Sequence, residues 1–159
     1  MESAFTLKSD FPVLVIGSAG IDIVGSVKGE LQARTSSPAY IRTSFGGVAR
    51  NVAENLARLG QPVNLVSVVG QDYNGNQLLE YARVAGVNVD SVLRSADFPT
   101  GTYLALVNNE GEMQYGLDDM RVVSALTPAY INSLDDKFSQ ASLVFFDANL
   151  PKDTIRRIM

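Results

Sequence analysis

Four places along the chain carry residues that could do chemistry. Gly46-Gly47 stands immediately ahead of Val48–Leu59, a strongly helical stretch. Glycine tolerates positive φ and lets a backbone be approached closely. The first amides of a helix are unpaired and lie at its positive end. A glycine pair in that place suits a polar or anionic ligand; a tight turn before a packed helix is the other reading. Asp22 follows the apolar run Pro12–Gly17 and the small residues Ser18-Ala19-Gly20. That is the carboxyl end of an expected strand, where open α/β sheets bind ligands. A carboxylate has two acceptor oxygens and can take two neighbouring sugar hydroxyls, or it can cap a turn. Asp147-Ala148-Asn149 puts further polar groups at a strand end. Asp118-Asp119 has the chemistry for a metal ion or a hydroxyl, but with no other ligand cluster nearby in sequence it reads as a solvated turn.

Composition narrows the chemistry further. The 159 residues contain no histidine and no cysteine. That removes a Ser-His-Asp triad, a histidine zinc site, thiolate catalysis and disulfides from this chain. A hydrophobic fraction of 46% with a net charge of −4 suits one globular domain, or a piece of a larger one. The mild acidity and the lack of a basic run argue against a nucleic-acid surface. No apolar stretch approaches the ~20 residues of a membrane span. Met1 to Lys8 lacks the basic region and apolar block of a signal peptide, so a cytoplasmic location is expected.

The elements that must position these groups follow from the pattern. Pro12–Gly17, Pro62–Gly70 and Ala141–Phe146 read as buried strands, with helices between them, which is the rhythm of a parallel sheet covered by helices. Val48, Val52, Ala53, Leu56 and Leu59 are spaced as the buried face of the first helix, and Gly60 as its C-cap. Asn76–Ala85 predicts a second helix and Val87–Leu93 a short strand. Thr127-Pro128 predicts a helix start, with the helix running through Leu134. Lys152–Met159 begins another, with Pro151 near its N-terminus. Ile23–Val27 and Ala39–Thr43 read as short strands outside the layered core. Thr100–Val107 and Glu112–Leu117 flank Asn108-Asn109-Glu110-Gly111 as a hairpin.

Four of these segments together resemble the N-terminal half of a ribokinase-like (pfkB-type) carbohydrate kinase. They are Gly17–Asp22, Gly46–Gly60, Val69–Gly75 and Asp147–Leu150, in order and at the family's spacing. The resemblance runs from Val13 to Met159. Within the family it is strongest to pseudouridine kinases, through Gly46–Gly60, through Thr102–Leu106 with Gly111–Met113 and Asp118–Met120, and through Asp147–Leu150. It implies an α/β fold: a three-layer α/β/α sandwich, truncated in this chain, with a small β-sheet lid whose strands come from about 23–43 and 100–117. The implied activity is transfer of phosphate from ATP, with Mg2+, to a primary hydroxyl of a sugar or nucleoside. Pseudouridine, giving its 5′-phosphate, is the expected substrate, and a ribokinase-type sugar or a non-catalytic sugar-binding module are the alternatives.

By position, the resemblance makes Asp22, Gly46, Gly47, Asn51 and Thr102 substrate-binding residues and places Asn149 near the phosphates and the metal-bound water. Many relatives carry Asn where this chain has Gly20, which removes one sugar contact. The family's later Asp-Thr-x-Gly-Ala-Gly-Asp signature does not occur within these residues. Its glycines and final Asp would supply the anion hole and the base, so no catalytic residue and no metal ligand is assigned here, and the chain alone is expected not to turn over. The resemblance also implies a small-molecule partner and raises a homodimer formed through the lid.

Overall fold

The computed structural model describes residues 10–159; Met1–Lys8, read above for a leader, lies outside them. A parallel sheet forms the centre of the fold. Its strands are β1 (Val13–Ile16), β4 (Val63–Gly70), β5 (Asn88–Ser95) and β8 (Leu143–Phe146), in the order β5-β4-β1-β8. All four residues of β1 are buried, because helices cover both faces. Val13 and Val15 point into one core with Ala49, Ala53, Leu78 and Ala82. Those come from α1 (Val48–Arg58) and α2 (Tyr73–Val84). Leu14 and Ile16 point into a second core with Val122, Leu126, Ile131 and Leu150. That side is built by a 3-10 turn (Arg121–Ala125), α3 (Pro128–Asn132) and α5 (Lys152–Ile158), with α4 (Asp135–Ser139) beside them. Each fully buried Val or Leu contributes about 1.5–3 kcal/mol, so the alternation along β1 ties the two helical layers to one strand.

A second four-stranded sheet stands outside the sandwich, in the order β3-β2-β6-β7. Its strands are β2 (Gly20–Val27), β3 (Ala39–Gly46), β6 (Gly101–Val107) and β7 (Met113–Asp119). The hairpin expected around Asn108–Gly111 is β6–β7. Only the root of this sheet packs on the sandwich: Ile21, Ile23 and Phe45 join the first core, and the Phe45 ring lies 4.9 Å from that of Tyr81. Asp72 clips the two parts together. Its carboxylate caps α2 by accepting from the Gly75 N–H at 2.8 Å, and it also accepts from the N–H and hydroxyl of Thr100 at 2.7 and 2.6 Å, at the entry to β6.

Several boundaries depart from the sequence reading. The first outlying strand starts at Gly20 and carries Asp22, so Asp22 stands on the second sheet rather than capping a turn. The second helix begins three residues early, at Tyr73, because Asp72 is its cap. The helix after Thr127 stops at Asn132, and a separate turn of helix follows Leu134. The strand expected at 141–146 is Leu143–Phe146, with Phe145 packed on the first core and Val144 and Phe146 on the second. Asp118 and Asp119 belong to β7 and not to a turn. On α1, Val48 and Leu59 face solvent while Arg50 is buried. The helix turns Ala49 and Ala53 to the core, because small side chains let it lie close to the sheet. Gly60 does close it, at φ +84°.

Candidate functional site

The sandwich and the second sheet enclose a cleft of about 420 Å³. Ser18, Gly47, Val48, Asn51 and Asn149 line it from the sandwich. Asp22, Tyr103 and Asp118 line it from the second sheet, with Gly20, Ile21 and Met120 at the junction. Segments more than a hundred residues apart therefore meet at one place.

Its floor is organised by Asp147, a buried carboxylate just past β8. One oxygen accepts from the Ser18 N–H at 2.8 Å, the Ser18 hydroxyl at 2.7 Å and the Ala49 N–H at 3.2 Å. The other accepts from the Asn149 N–H at 2.9 Å. The Ser18 hydroxyl oxygen accepts in turn from the Val48 N–H at 3.0 Å and the Asn149 side-chain amide at 3.1 Å. The Ser18 carbonyl takes the Arg50 N–H at 3.1 Å. The first three amides of α1 are thus occupied within the protein, with a negative charge at the helix's positive end. The open cradle of amides that the glycine pair suggested is closed.

The two glycines serve this closure. Gly47, at φ +95°, has the Ser18 carbonyl oxygen and Ala19 Cα where a Cβ would be, each at 2.5 Å. A Cβ on Gly46 would fall on the Asp22 carboxylate. Gly46 pairs with Gly20 across β2–β3 and stands behind Asp22, outside the cleft lining. Burial pushes the Asp22 carboxyl above its ordinary pKa, and the Arg50 guanidinium pulls the other way.

Arg50 also fixes Asn51. Its Nη2 and Nε donate to Asn51 Oδ1 at 2.8 and 3.2 Å, and Nη2 donates to Glu54 at 2.6 Å. A guanidinium carries only donors, so the Asn51 amide must turn its oxygen to Arg50 and keep its NH2 free. The cleft therefore presents a donor from Asn51 beside an acceptor from Asp22. That pairing suits two neighbouring hydroxyls, one donating and one accepting. Thr102 is not brought here: its hydroxyl donates to the Thr100 carbonyl at 3.2 Å, and the cleft is lined by its neighbour Tyr103.

Ser18, Arg50 and Tyr103 are the residues that sequence reasoning did not single out; Asp118 was read there as a solvated turn and Asp147 only as a polar group at a strand end. Tyr103 and Asp118 were recoverable from strand alternation once their register with Asp22 is known; Asp147 needed the fold. Among the described residues no lysine or arginine lines the cleft, and no group of three His, Cys, Asp or Glu could hold a metal ion. The described residues do not build a grip for a nucleoside triphosphate and its metal.

The family model for the pfkB family carbohydrate kinases matches residues 11–159. The chain belongs to the pfkB family of carbohydrate kinases, and its sandwich and second sheet are the ribokinase-like fold. It is 38% identical over 142 residues to the uncharacterized sugar kinase YeiI of Escherichia coli, covering 89% of this chain and 39% of that protein. It is 36% identical over 147 residues to the pseudouridine kinase of Escherichia coli, covering 92% and 47%. A carbohydrate kinase from Agrobacterium tumefaciens superposes with a TM-score of 0.82 at 31% identity, covering 93% of this chain and 48% of that one. The chain thus spans less than half the length of these relatives. Among the described residues no helix is long and apolar enough to cross a membrane.

Proposed function

We propose that this chain is the sugar-binding half of a kinase that uses ATP and Mg2+ to phosphorylate a primary hydroxyl of a sugar or nucleoside, pseudouridine to its 5′-phosphate in particular. The observation that carries this reading is the Asn51 donor and the Asp22 acceptor on one cleft that, among the described residues, no cationic side chain lines. Such a floor favours a neutral polyhydroxyl ligand over a phosphorylated one. The similarity to the Escherichia coli pseudouridine kinase supports the substrate. In this reading Asp22 and Asn51 hold the ribose hydroxyls, Gly47 floors the sugar, Gly46 makes room for Asp22, and Asn149 sits on the phosphate side. The protein acts in the cytoplasm.

The second sheet also carries an apolar surface beyond its packed root. Ile41, Leu106 and Tyr115 stand in one row across it and Ile23, Leu104 and Leu117 in the next, with Ile41, Tyr115 and Leu117 exposed. That surface supports a homodimer through the lid, which a monomeric mass for the full-length protein in sedimentation would remove. The activity itself is tested on the full-length protein with ATP and Mg2+, assaying pseudouridine, other nucleosides and ribose. Phosphorylation of pseudouridine at the 5′ position is expected. Transfer to none of these acceptors would overturn the reading.

A further inference from the structure

Asp22, Tyr103 and Asp118 form one row across three neighbouring strands. Asp22 lies opposite Tyr103 in the parallel pair β2–β6, and Tyr103 lies opposite Asp118 in the antiparallel pair β6–β7. Residues directly opposite on adjacent strands share a face of the sheet, and all three line the cleft. Two strand spacings put the backbones that carry the two carboxylates about 10 Å apart.

The surroundings of the two acids differ. Asp22 is partly buried beside Gly47 and Asn51, at the sandwich end of the cleft. Asp118 is exposed and makes no hydrogen bond or ion pair among the described residues. Arg121, the cation nearest in sequence, is held by Asp119 through two contacts of 2.8 Å. Between the acids in that row stands Tyr103, and Met120 adds apolar lining, while the Ile21 side chain is buried in the first core. The Tyr103 side chain leans over Gly116, where a Cβ would stand 2.8 Å from the hydroxyl, and that hydroxyl meets Met113 Sδ at 3.0 Å. A furanose held by Asp22 and Asn51 leaves Asp118 to whatever ring the sugar carries, with Tyr103 beneath that ring. An ionised carboxylate only accepts, so it favours a ring that presents an N–H.

We propose that Asp118 is a specificity-determining residue for the base, its carboxylate accepting a ring N–H that a C-linked pyrimidine nucleoside carries at N1 and an N-linked one, with N1 bonded to ribose, lacks. This rests on the nucleoside-kinase reading above and adds to it the group that is recognised. Pseudouridine has that N–H, whereas uridine and N1-methylpseudouridine do not.

The test compares kcat/KM for pseudouridine, N1-methylpseudouridine and uridine in the full-length protein and its Asp118→Ala and Asp118→Asn variants. A hydrogen bond to a charged acceptor is expected to give the parent protein at least a roughly tenfold preference for pseudouridine over the N1-methyl compound. Asp118→Ala is expected to bring the two within about threefold of each other, through KM for pseudouridine, and Asp118→Asn, which keeps a neutral acceptor oxygen, to fall between. A preference retained in Asp118→Ala overturns the inference. So does a parent protein that phosphorylates nucleosides without distinguishing the N1-methyl compound, and in that case the kinase reading stands. A parent protein that phosphorylates neither sugars nor nucleosides overturns both.

Discussion

Replacing Asp147 by Asn removes a charge without removing volume, and the structure makes the cost calculable. Asp147 accepts four hydrogen bonds, three on Oδ2 and one on Oδ1. An amide can turn its oxygen to the three donors from Ser18 and Ala49, which leaves its NH2 facing the Asn149 N–H. That orientation loses one bond outright and leaves a donor against a donor, at about 1–3 kcal/mol. The three bonds that survive lose their charge assistance, at up to about 1 kcal/mol each. The N-terminus of α1 also loses a favourable charge, at about 0.5–1 kcal/mol. The sum is about 1.5–7 kcal/mol, a large share of the roughly 5–15 kcal/mol that separates folded from unfolded protein. Asp147→Ala, which leaves the Ser18 and Ala49 amides buried without partners, is expected to cost at least as much. Urea unfolding of the full-length protein, followed by circular dichroism, reads the difference. Ser18→Ala is the companion variant: it removes the hydroxyl that serves Val48 and Asn149 but keeps the Asp147 contacts to backbone amides, and about 1–2 kcal/mol is expected. An Asp147→Asn protein within about 1 kcal/mol of the parent would refute the argument that this carboxylate organises the floor of the site.

Two further outcomes depend on pH. Burial holds the Asp22 carboxyl above its ordinary pKa against the pull of Arg50, so acceptor affinity is expected to weaken on acidification above the ordinary value of about 4. Arg50→Met should move that limb to higher pH, with Asp118 across the cleft, Tyr103 on β6 and Ser44 on β3 unchanged around Asp22; a limb that stays or moves down in a KM–pH profile refutes the role of Arg50. For Asp72, burial opposes the charge, but hydrogen bonds from Thr100 and Gly75 and the nearby Arg94 outweigh it and hold the pKa below the ordinary value. The stability that the ionised form contributes is therefore fully present above the unfolded pKa of about 3.9 and is lost as pH falls through the lower folded value. The gap between parent and Asp72→Asn in unfolding experiments is expected to be about 1–2 kcal/mol near neutrality and to shrink below about pH 4; a gap that grows with acid contradicts the assignment.

What the sequence made legible was whatever depends on near neighbours. The apolar runs at Val13–Ile16 and Val63–Gly70, the Thr127-Pro128 helix start and the Asn108–Gly111 hairpin each carry their cause within a few residues. α1 keeps its expected face at Val52, Ala53 and Leu56, which pack on the first core, and departs from it at Val48 and Leu59. Its first turn borders the cleft, so Val48 lines the cleft, while Arg50 turns inward to Asn51 and Glu54. The buried guanidinium even leaves Nη1 without a partner among the described residues, a cost that no helical pattern announces. The site itself was half legible. Asp22 could be picked by type and position and Asn51 through the family resemblance, but the reason each presents its polar group to the cleft is remote from it. Gly46 makes room for one and Arg50 orients the other. Asp147 meets Ser18 across 129 residues, and Asp118 joins Asp22 only through the register of β2, β6 and β7. The glycine pair illustrates the difference between motif and mechanism. Its two missing side chains, read locally, open a cradle for a ligand's phosphate. In the fold they admit the protein's own groups, the Asp22 carboxylate at Gly46 and the Ser18 backbone at Gly47, while Ser18 and Asp147 close the cradle. The groups left facing the cleft beside it are the Asn51 amide and the Asp22 carboxylate, which is why its chemistry points to hydroxyls and not to phosphate.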